Sequence, residues 1–275
     1  MYDFYFGERD AVLEDEVGYL ISVKRMMPRW CNSIPDSELV AIHNDLERSN
    51  VADSSSQGVL VETGCGASTL VLAYGAFKYD KRLYTWDTNQ NKLAYVRGIL
   101  TDTLGRLFGR SVQDVWTYVP YRSDSQDLGI AVLGEFEHTV DFAFFDSEHT
   151  SEVLLSEVRG TLDFANDGAI FAIDDANYDF KYKNTAYINV FRKKLGLPPI
   201  ENPSNNKTAK FFELVEQCLK ETYPSSVKLE DSYKRDFKDD LFWSYYSSDR
   251  KIMDSLSMER LSELEHRYDS FRVVQ

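Results

Sequence analysis

Val59-Leu60-Val61-Glu62-Thr63-Gly64-Cys65-Gly66-Ala67-Ser68-Thr69-Leu70 is the stretch that decides how the rest of the chain is read. Its first residues form an apolar run of the length and composition of a buried strand. Gly64 and Gly66 follow as a turn, and Leu70, Val71 and Leu72 begin a helix. A glycine turn at the carboxyl end of a strand lies where open α/β sheets bind ligands. Glycine lets the backbone bend sharply and approach a bound molecule, while the amides of the following helix face it. A small-molecule cleft is the expectation from this stretch.

Outward from it, the pattern alternates strand and helix, as in a parallel sheet wrapped by helices. Arg82-Leu83-Tyr84-Thr85-Trp86 is a second strand, and it ends on Asp87. An acid at that place can accept hydrogen bonds from both hydroxyls of a ribose. After a helix over 90–107 comes a third strand, 116–119, and then a polar loop containing Asp124, Ser125, Gln126 and Asp127, placed to read a purine edge. The fourth strand, 140–145, stops at Asp146-Ser147-Glu148-His149. A helix with Val153, Leu154, Val158 and Leu162 as its buried stripe follows. The fifth strand, 168–173, ends on Asp174-Asp175. Asp146, Asp174 and Asp175 therefore finish two strands that can lie side by side. Carboxylates grouped in this way need a cation or open water, and hard oxygen ligands suit Mg²⁺, Mn²⁺ or Ca²⁺.

The flanks are plainer. Residues 1–57 read as a helical cap, with one apolar face through Val17, Leu20, Ile21 and Met27 and another through Leu39, Val40, Ile42 and Leu46. Residues 178–207 read as a lid or insertion with Tyr178, Tyr182 and Tyr187, and a helix is expected over 210–222. Val227-Lys228-Leu229 and 241–246 are expected to close the sheet as an antiparallel hairpin, and 249–275 to form an amphipathic C-terminal helix. The whole of 1–275 is read as a single domain with a core over 58–177 and its end at 208–248.

A formal net charge of −14 and a pI near 4.8 oppose nucleic-acid binding, which needs a basic track. No long apolar run or signal-peptide pattern occurs, so no membrane partner is expected and the location expected is cytoplasmic. Cys31, Cys65 and Cys218 are scattered, consistent with reduced thiols. His43, His138 and His266 are read as ordinary packed or exposed histidines. Oligomerisation through the cap or the C-terminal helix stays open.

The motifs together resemble class I S-adenosylmethionine-dependent methyltransferases, and within them the metal-dependent small-molecule O-methyltransferases. Glu62-x-Gly64-x-Gly66 is similar to the first motif of that fold, Asp87 to its ribose-binding acid, and Ser125-Gln126-Asp127 to the adenine loop of catechol O-methyltransferases. Asp146, Asp174 and Asp175 fall where the group has its metal ligands. The resemblance covers roughly residues 58–178. It implies a Rossmann-like, mostly parallel seven-stranded sheet with helices on both faces. It also implies S-adenosylmethionine held by Glu62, Gly64, Gly66, Ser68, Asp87, Asp124, Ser125 and Gln126, and a divalent ion, magnesium, at the acidic set. Catechol-type enzymes carry a Lys three residues after the first metal Asp. Here that place is His149, as in the macrocin-type O-methyltransferases, which implies His149 as the base and a hydroxyl of a sugar or natural product as acceptor. Two alternatives stand beside this reading. A glycine turn with a strand-end acid also serves NAD(P)-dependent oxidoreductases, although Thr69 occupies the place of their third glycine. A non-catalytic binding module of the same fold is the other.

Overall fold

A computed structural model describes residues 9–147, 151–174, 227–229 and 268–273. The cap is built from α1 (Arg9–Glu14), α2 (Glu16–Met26) and α3 (Asp36–Arg48). The core then runs β1 (Val59–Thr63), α4 (Ala67–Lys78), β2 (Leu83–Trp86) and α5 (Gln90–Leu100). A π-helical turn, Thr101–Gly105, and the short α6 (Arg106–Phe108) and α7 (Val112–Val115) lead into β3 (Trp116–Val119). It continues through β4 (Val140–Phe145), α8 (Ser151–Leu162) and β5 (Ala165–Asp174), and ends with β6 (Val227–Leu229) and β7 (Tyr268–Val273).

The seven strands form one sheet in the order β3-β2-β1-β4-β5-β7-β6. β1 to β5 pair in parallel, and β7 runs antiparallel to both β5 and β6. The chain moves outward from β1 to β2 and β3, then crosses back to β4 on the other side of β1. That reversal leaves a crevice beyond the carboxyl ends of β1 and β4, the usual ligand position of such sheets.

Both faces of the sheet are covered, which is why its central strands read as near-continuous apolar runs. Successive residues alternate between two layers. Leu60, Phe142, Phe144, Ile170 and Tyr268 pack with the cap helices and α4. Val61, Ala143, Phe145, Phe171 and Ile173 pack on the other side with Leu154, Val158 and Leu162 of α8. The cap belongs to the first core: Leu20, Leu39, Ile42 and Leu46 are buried in it, and the Tyr268 hydroxyl donates to Asp45 at 2.7 Å, tying α3 to β7. Among the described residues no helix is long and apolar enough to cross a membrane.

The expected strands and the glycine-turn helix fall where the pattern puts them, within a residue or two at most ends. One expectation at the C-terminus changes. The strand at 227–229 pairs with Tyr268–Val273, so these two segments, distant in sequence, close the sheet. Residues 268–273 are accordingly strand, not the end of a helix. The physical reason is that Tyr268 and Ser270 enter the sheet beside β5, where five residue pairs align, and that pairing overrides local helical periodicity. The proposed partner 241–246, the lid, the helix over 210–222, the apolar stripe of 249–264, His266 and Cys218 lie outside the described residues.

Candidate active site

The site is built on the carboxyl edge of the sheet. Gly64 leaves β1 with φ +88°, a conformation that favours glycine, and a Cβ on it would meet the Asp146 carbonyl oxygen at 1.9 Å. The turn is thus pressed against the end of β4. Cross-strand bonds fix that approach: the Gly64 amide donates to the Trp86 carbonyl at 2.8 Å, and the Asp146 amide to the Thr63 carbonyl at 2.9 Å.

Under the turn lies Glu62, fully buried on β1. Its carboxylate accepts from the hydroxyls of Ser68 at 2.7 Å, Thr69 at 2.8 Å and Thr85 at 2.7 Å. Thr69 in turn accepts from the Gly66 amide at 2.9 Å, and Thr85 from the Trp116 indole at 2.9 Å. One acid therefore braces β1, β2, β3 and the start of α4. Burial pushes the Glu62 carboxyl up to about 7, against the opposing pull of the three hydroxyls.

Stability carries the signature of this raised carboxyl. A folded-state value above the unfolded one means that the folded chain holds the proton more tightly, so the contribution is complete below pH 4.5 and lost as pH rises through about 7. The loss is on the order of 3 kcal/mol for one such group. Glu62→Gln, which is uncharged throughout, is expected to flatten the fall in urea-unfolding free energy between pH 5 and pH 8. Parallel pH slopes for the variant and the wild type would contradict the assignment.

Asp87 stands at the end of β2 and is joined directly to the glycine turn. Its Oδ2 accepts from the Cys65 amide at 2.8 Å and its Oδ1 from the Asn89 amide at 2.7 Å, with the Lys92 ammonium 3.6 Å from Oδ2. The cap closes this corner from the other side: the Cys31 carbonyl oxygen lies 3.2 Å from where a Gly66 Cβ would be. Cys65 itself is buried, and burial pushes its thiol well up, which makes it an inert packing residue.

The loop after β3 carries Asp124, Ser125 and Gln126. Asp124 is exposed and paired with Arg122 at 2.8 Å, and that hydrogen bond holds its carboxyl below the usual range. Ser125 is half-buried and Gln126 exposed. The loop is folded back on itself by Gly129, whose amide donates to the Ser125 carbonyl at 3.0 Å, and by Ile130, whose amide donates to that of Ser123 at 2.9 Å.

The paired register of Phe145 with Ile173 puts Asp146 and Asp174 level with each other on adjacent parallel strands. Asp174 is 2% exposed and Asp146 half-buried. Asp175 and His149 lie outside the described residues. The structure thus brings Glu62, Gly64, Gly66, Ser68 and Asp87 into one bonded unit and sets Asp146 and Asp174 beside it. It shows no direct bond between Asp124, Ser125 or Gln126 and that unit among the described residues.

A different acidic group has ligand-like spacing among the described residues: Glu16, His43 and Glu47 of the cap. The Lys78 ammonium already joins Glu16 at 2.9 Å and Glu47 at 3.1 Å, and the His43 ring meets Glu16 at 3.1 Å. This is an ion-pair network at the cap–core seam. His138 meets the Tyr84 hydroxyl at 2.8 Å, a structural contact.

Sequence reasoning missed Glu157. It sits 1% exposed on α8, with its carboxylate accepting from Thr63, Ser123 and Ser147. A charged residue between Leu154 and Val158, inside the apolar stripe, was the available signal.

The methyltransferase-domain family model matches residues 61–176. No curated protein matches by sequence. The fold is similar to that of the O-methyltransferase from Bacillus cereus in complex with SAH, with TM-score 0.53, 12% identity and 100% of each chain covered. It is also similar to the O-methyltransferase TomG from Streptomyces achromogenes, involved in tomaymycin synthesis, in complex with SAM, with TM-score 0.52, 12% identity and 95% and 90% of the two chains covered. Cofactor-bound Rv0187 from MTB gives TM-score 0.53 at 13% identity, over 96% of this chain and 95% of that one.

Proposed function

We propose that this chain, which carries a methyltransferase domain in the class I S-adenosylmethionine-dependent fold, transfers a methyl group from S-adenosylmethionine to a hydroxyl of a small molecule with the help of a divalent cation. The observation that carries the cofactor half is the bond between Asp87 Oδ2 and the Cys65 amide at 2.8 Å. It fixes a strand-end carboxylate and a glycine turn as one rigid corner at the switch point of the sheet. In this reading the ribose hydroxyls donate to Asp87, and the Gly64–Ser68 turn receives the methionine portion. Glu62 acts through the hydroxyls of Ser68 and Thr69, which hold the turn in shape. Thr69 in place of a third glycine, with its hydroxyl spent on Glu62, supports this cofactor over a dinucleotide.

The reaction is an in-line displacement at the sulfonium methyl, and positioning of nucleophile and methyl can supply about 7–11 kcal/mol of the barrier. Asp146 and Asp174 fit a hard cation by their chemistry and level register, and Asp175 completes the set by resemblance. The cation, when bound, supplies Lewis acidity that lowers the pKa of the acceptor hydroxyl. His149 is placed by resemblance to take the hydroxyl proton as the oxygen attacks. The macrocin-type position of His149, together with a fold neighbour that serves tomaymycin synthesis, supports a sugar or natural-product acceptor. The net charge of −14 disfavours a nucleic-acid acceptor.

Calorimetry with S-adenosylhomocysteine tests the proposal, and absence of binding at millimolar ligand would reject it. Asp87→Ala is expected to weaken that binding by about 10- to 100-fold, since hydrogen bonds to a charged group contribute about 1.5–3 kcal/mol. An unchanged dissociation constant would remove Asp87 from the ribose role.

A further inference from the structure

Glu157 is the centre of a second hydroxyl cage, and the mechanism above does not use it. Oε1 accepts from Ser123 of the loop after β3 and, at 2.5 Å, from Ser147 of the turn after Asp146. Oε2 accepts from Thr63, the last residue of β1, at 3.2 Å. The three donors lie on three different segments, and each of those segments borders the cleft. Ser123 is buried beside the loop residues Asp124 and Ser125, and Thr63 and Ser147 flank the closed joint between Gly64 and Asp146.

A buried acid in an apolar stripe is costly unless its acceptors are filled. A packed leucine would serve α8 better if the helix had only to cover the sheet. The acid instead holds two loops against the end of β1. The loop after β3 is tied separately to β2, where the Trp86 indole donates to the Leu128 carbonyl at 2.9 Å. We propose that Glu157 is a positioning residue for the cofactor: through Ser123 it fixes the loop that receives the adenosine end, and through Thr63 and Ser147 it locks that loop to the glycine turn and to Asp146. This rests on the cofactor reading given above. It adds a determinant of affinity that makes no contact with the cofactor itself.

The chemistry of the cage predicts an unusual substitution pattern. A glutamine in the same place keeps Oε1 as acceptor for Ser123 and Ser147, and its Nε2 can donate to Thr63, whose hydroxyl both donates and accepts. Leucine fills the space and ties nothing. The experiment is calorimetric titration of wild type, Glu157→Gln, Glu157→Leu and Ser123→Ala with S-adenosylhomocysteine and with 5′-methylthioadenosine, which lacks the amino-acid end, alongside melting temperatures of the ligand-free proteins.

The expected result is a dissociation constant within about 3-fold of wild type for Glu157→Gln, and a rise of about 10-fold or more for Glu157→Leu. Ser123→Ala is expected to lose about 5-fold, since one hydrogen bond of about 1 kcal/mol is removed. Each variant should lose the same factor for both ligands, because the strut acts at the adenosine end. Should Glu157→Leu not fold, Ser123→Ala decides: an unchanged affinity with it overturns the proposal. So does a loss confined to S-adenosylhomocysteine, or a Glu157→Gln as weak as Glu157→Leu. A wild type that binds neither ligand removes the cofactor reading and this inference together, whereas a binding wild type with an equally tight Glu157→Leu removes the strut alone.

Discussion

Gly64→Ala is expected to abolish measurable S-adenosylhomocysteine binding and to lower the melting temperature by about 10 °C. The two effects have one cause. At φ +88° an L-residue is strained, a cost of about 1–2 kcal/mol. The added methyl also lands 1.9 Å from the Asp146 carbonyl oxygen and 2.8 Å from its carbon. Those are backbone atoms of β4, so no rotamer change relieves the contact, and overpacking of this kind adds about 1–3 kcal/mol. Conversion at about 2–4 °C per kcal/mol gives the thermal shift. Either the turn or the end of β4 must move by more than an ångström, and both border the cleft, so an affinity loss beyond about 100-fold follows. Gly98→Ala is the internal control. Nothing lies within 4 Å of a Cβ there, and an alanine within helix α5 is expected to raise stability by about 0.5–1 kcal/mol with affinity unchanged. Wild-type affinity in Gly64→Ala would mean that the turn is not part of the ligand site.

Gly64 also shows which parts of this fold are legible in a sequence. β1, β4 and β5 are buried on both faces, so Val59–Val61, Phe142–Phe145 and Ala169–Ile173 announce themselves as uninterrupted apolar runs bounded by glycine or acid. The glycine turn and Asp87 are legible because they punctuate such runs at the strand ends. What stays hidden is whatever depends on distant partners. Tyr268–Val273 alternates polar and apolar residues weakly, and only its pairing with β5 and with a strand near residue 228 makes it β-structure. Glu157 was passed over for a related reason: its three hydroxyl partners come from residues 63, 123 and 147, and nothing in the spacing of α8 records them. The sequence pattern marks where the chain must be apolar. It does not mark which acids are spent on bracing, and Glu62 and Glu157 are both spent that way.

In the proposed reading Asp146 and Asp174 hold the cation, and their expected behaviour separates a metal-assisted enzyme from one that only positions its substrates. Neighbouring strands lie about 4.8 Å apart, so two aspartates level on adjacent parallel strands would be near enough to hold one hard cation between them. Asp174 is 2% exposed at the end of β5. A divalent cation held by the pair would offset the cost of keeping a carboxylate in so dry a place. In protein loaded with S-adenosylhomocysteine, Mn²⁺ titration followed by electron paramagnetic resonance is therefore expected to reveal one site, and Asp146→Ala or Asp174→Ala to weaken it by more than about 100-fold, beyond the range seen when only outer-shell partners are lost. Glu16→Ala is expected to leave that site intact, because the cap cluster is already paired with Lys78, at 2.9 Å from Glu16 and 3.1 Å from Glu47. Methyl transfer from S-adenosylmethionine should then stop in excess chelator and return with Mg²⁺ in the wild type alone. Full transfer in chelator would assign the two aspartates to holding the acceptor directly, and His149 would then have to remove the proton without a cation to lower its pKa, a step that His as general base accelerates only about 10²- to 10⁴-fold.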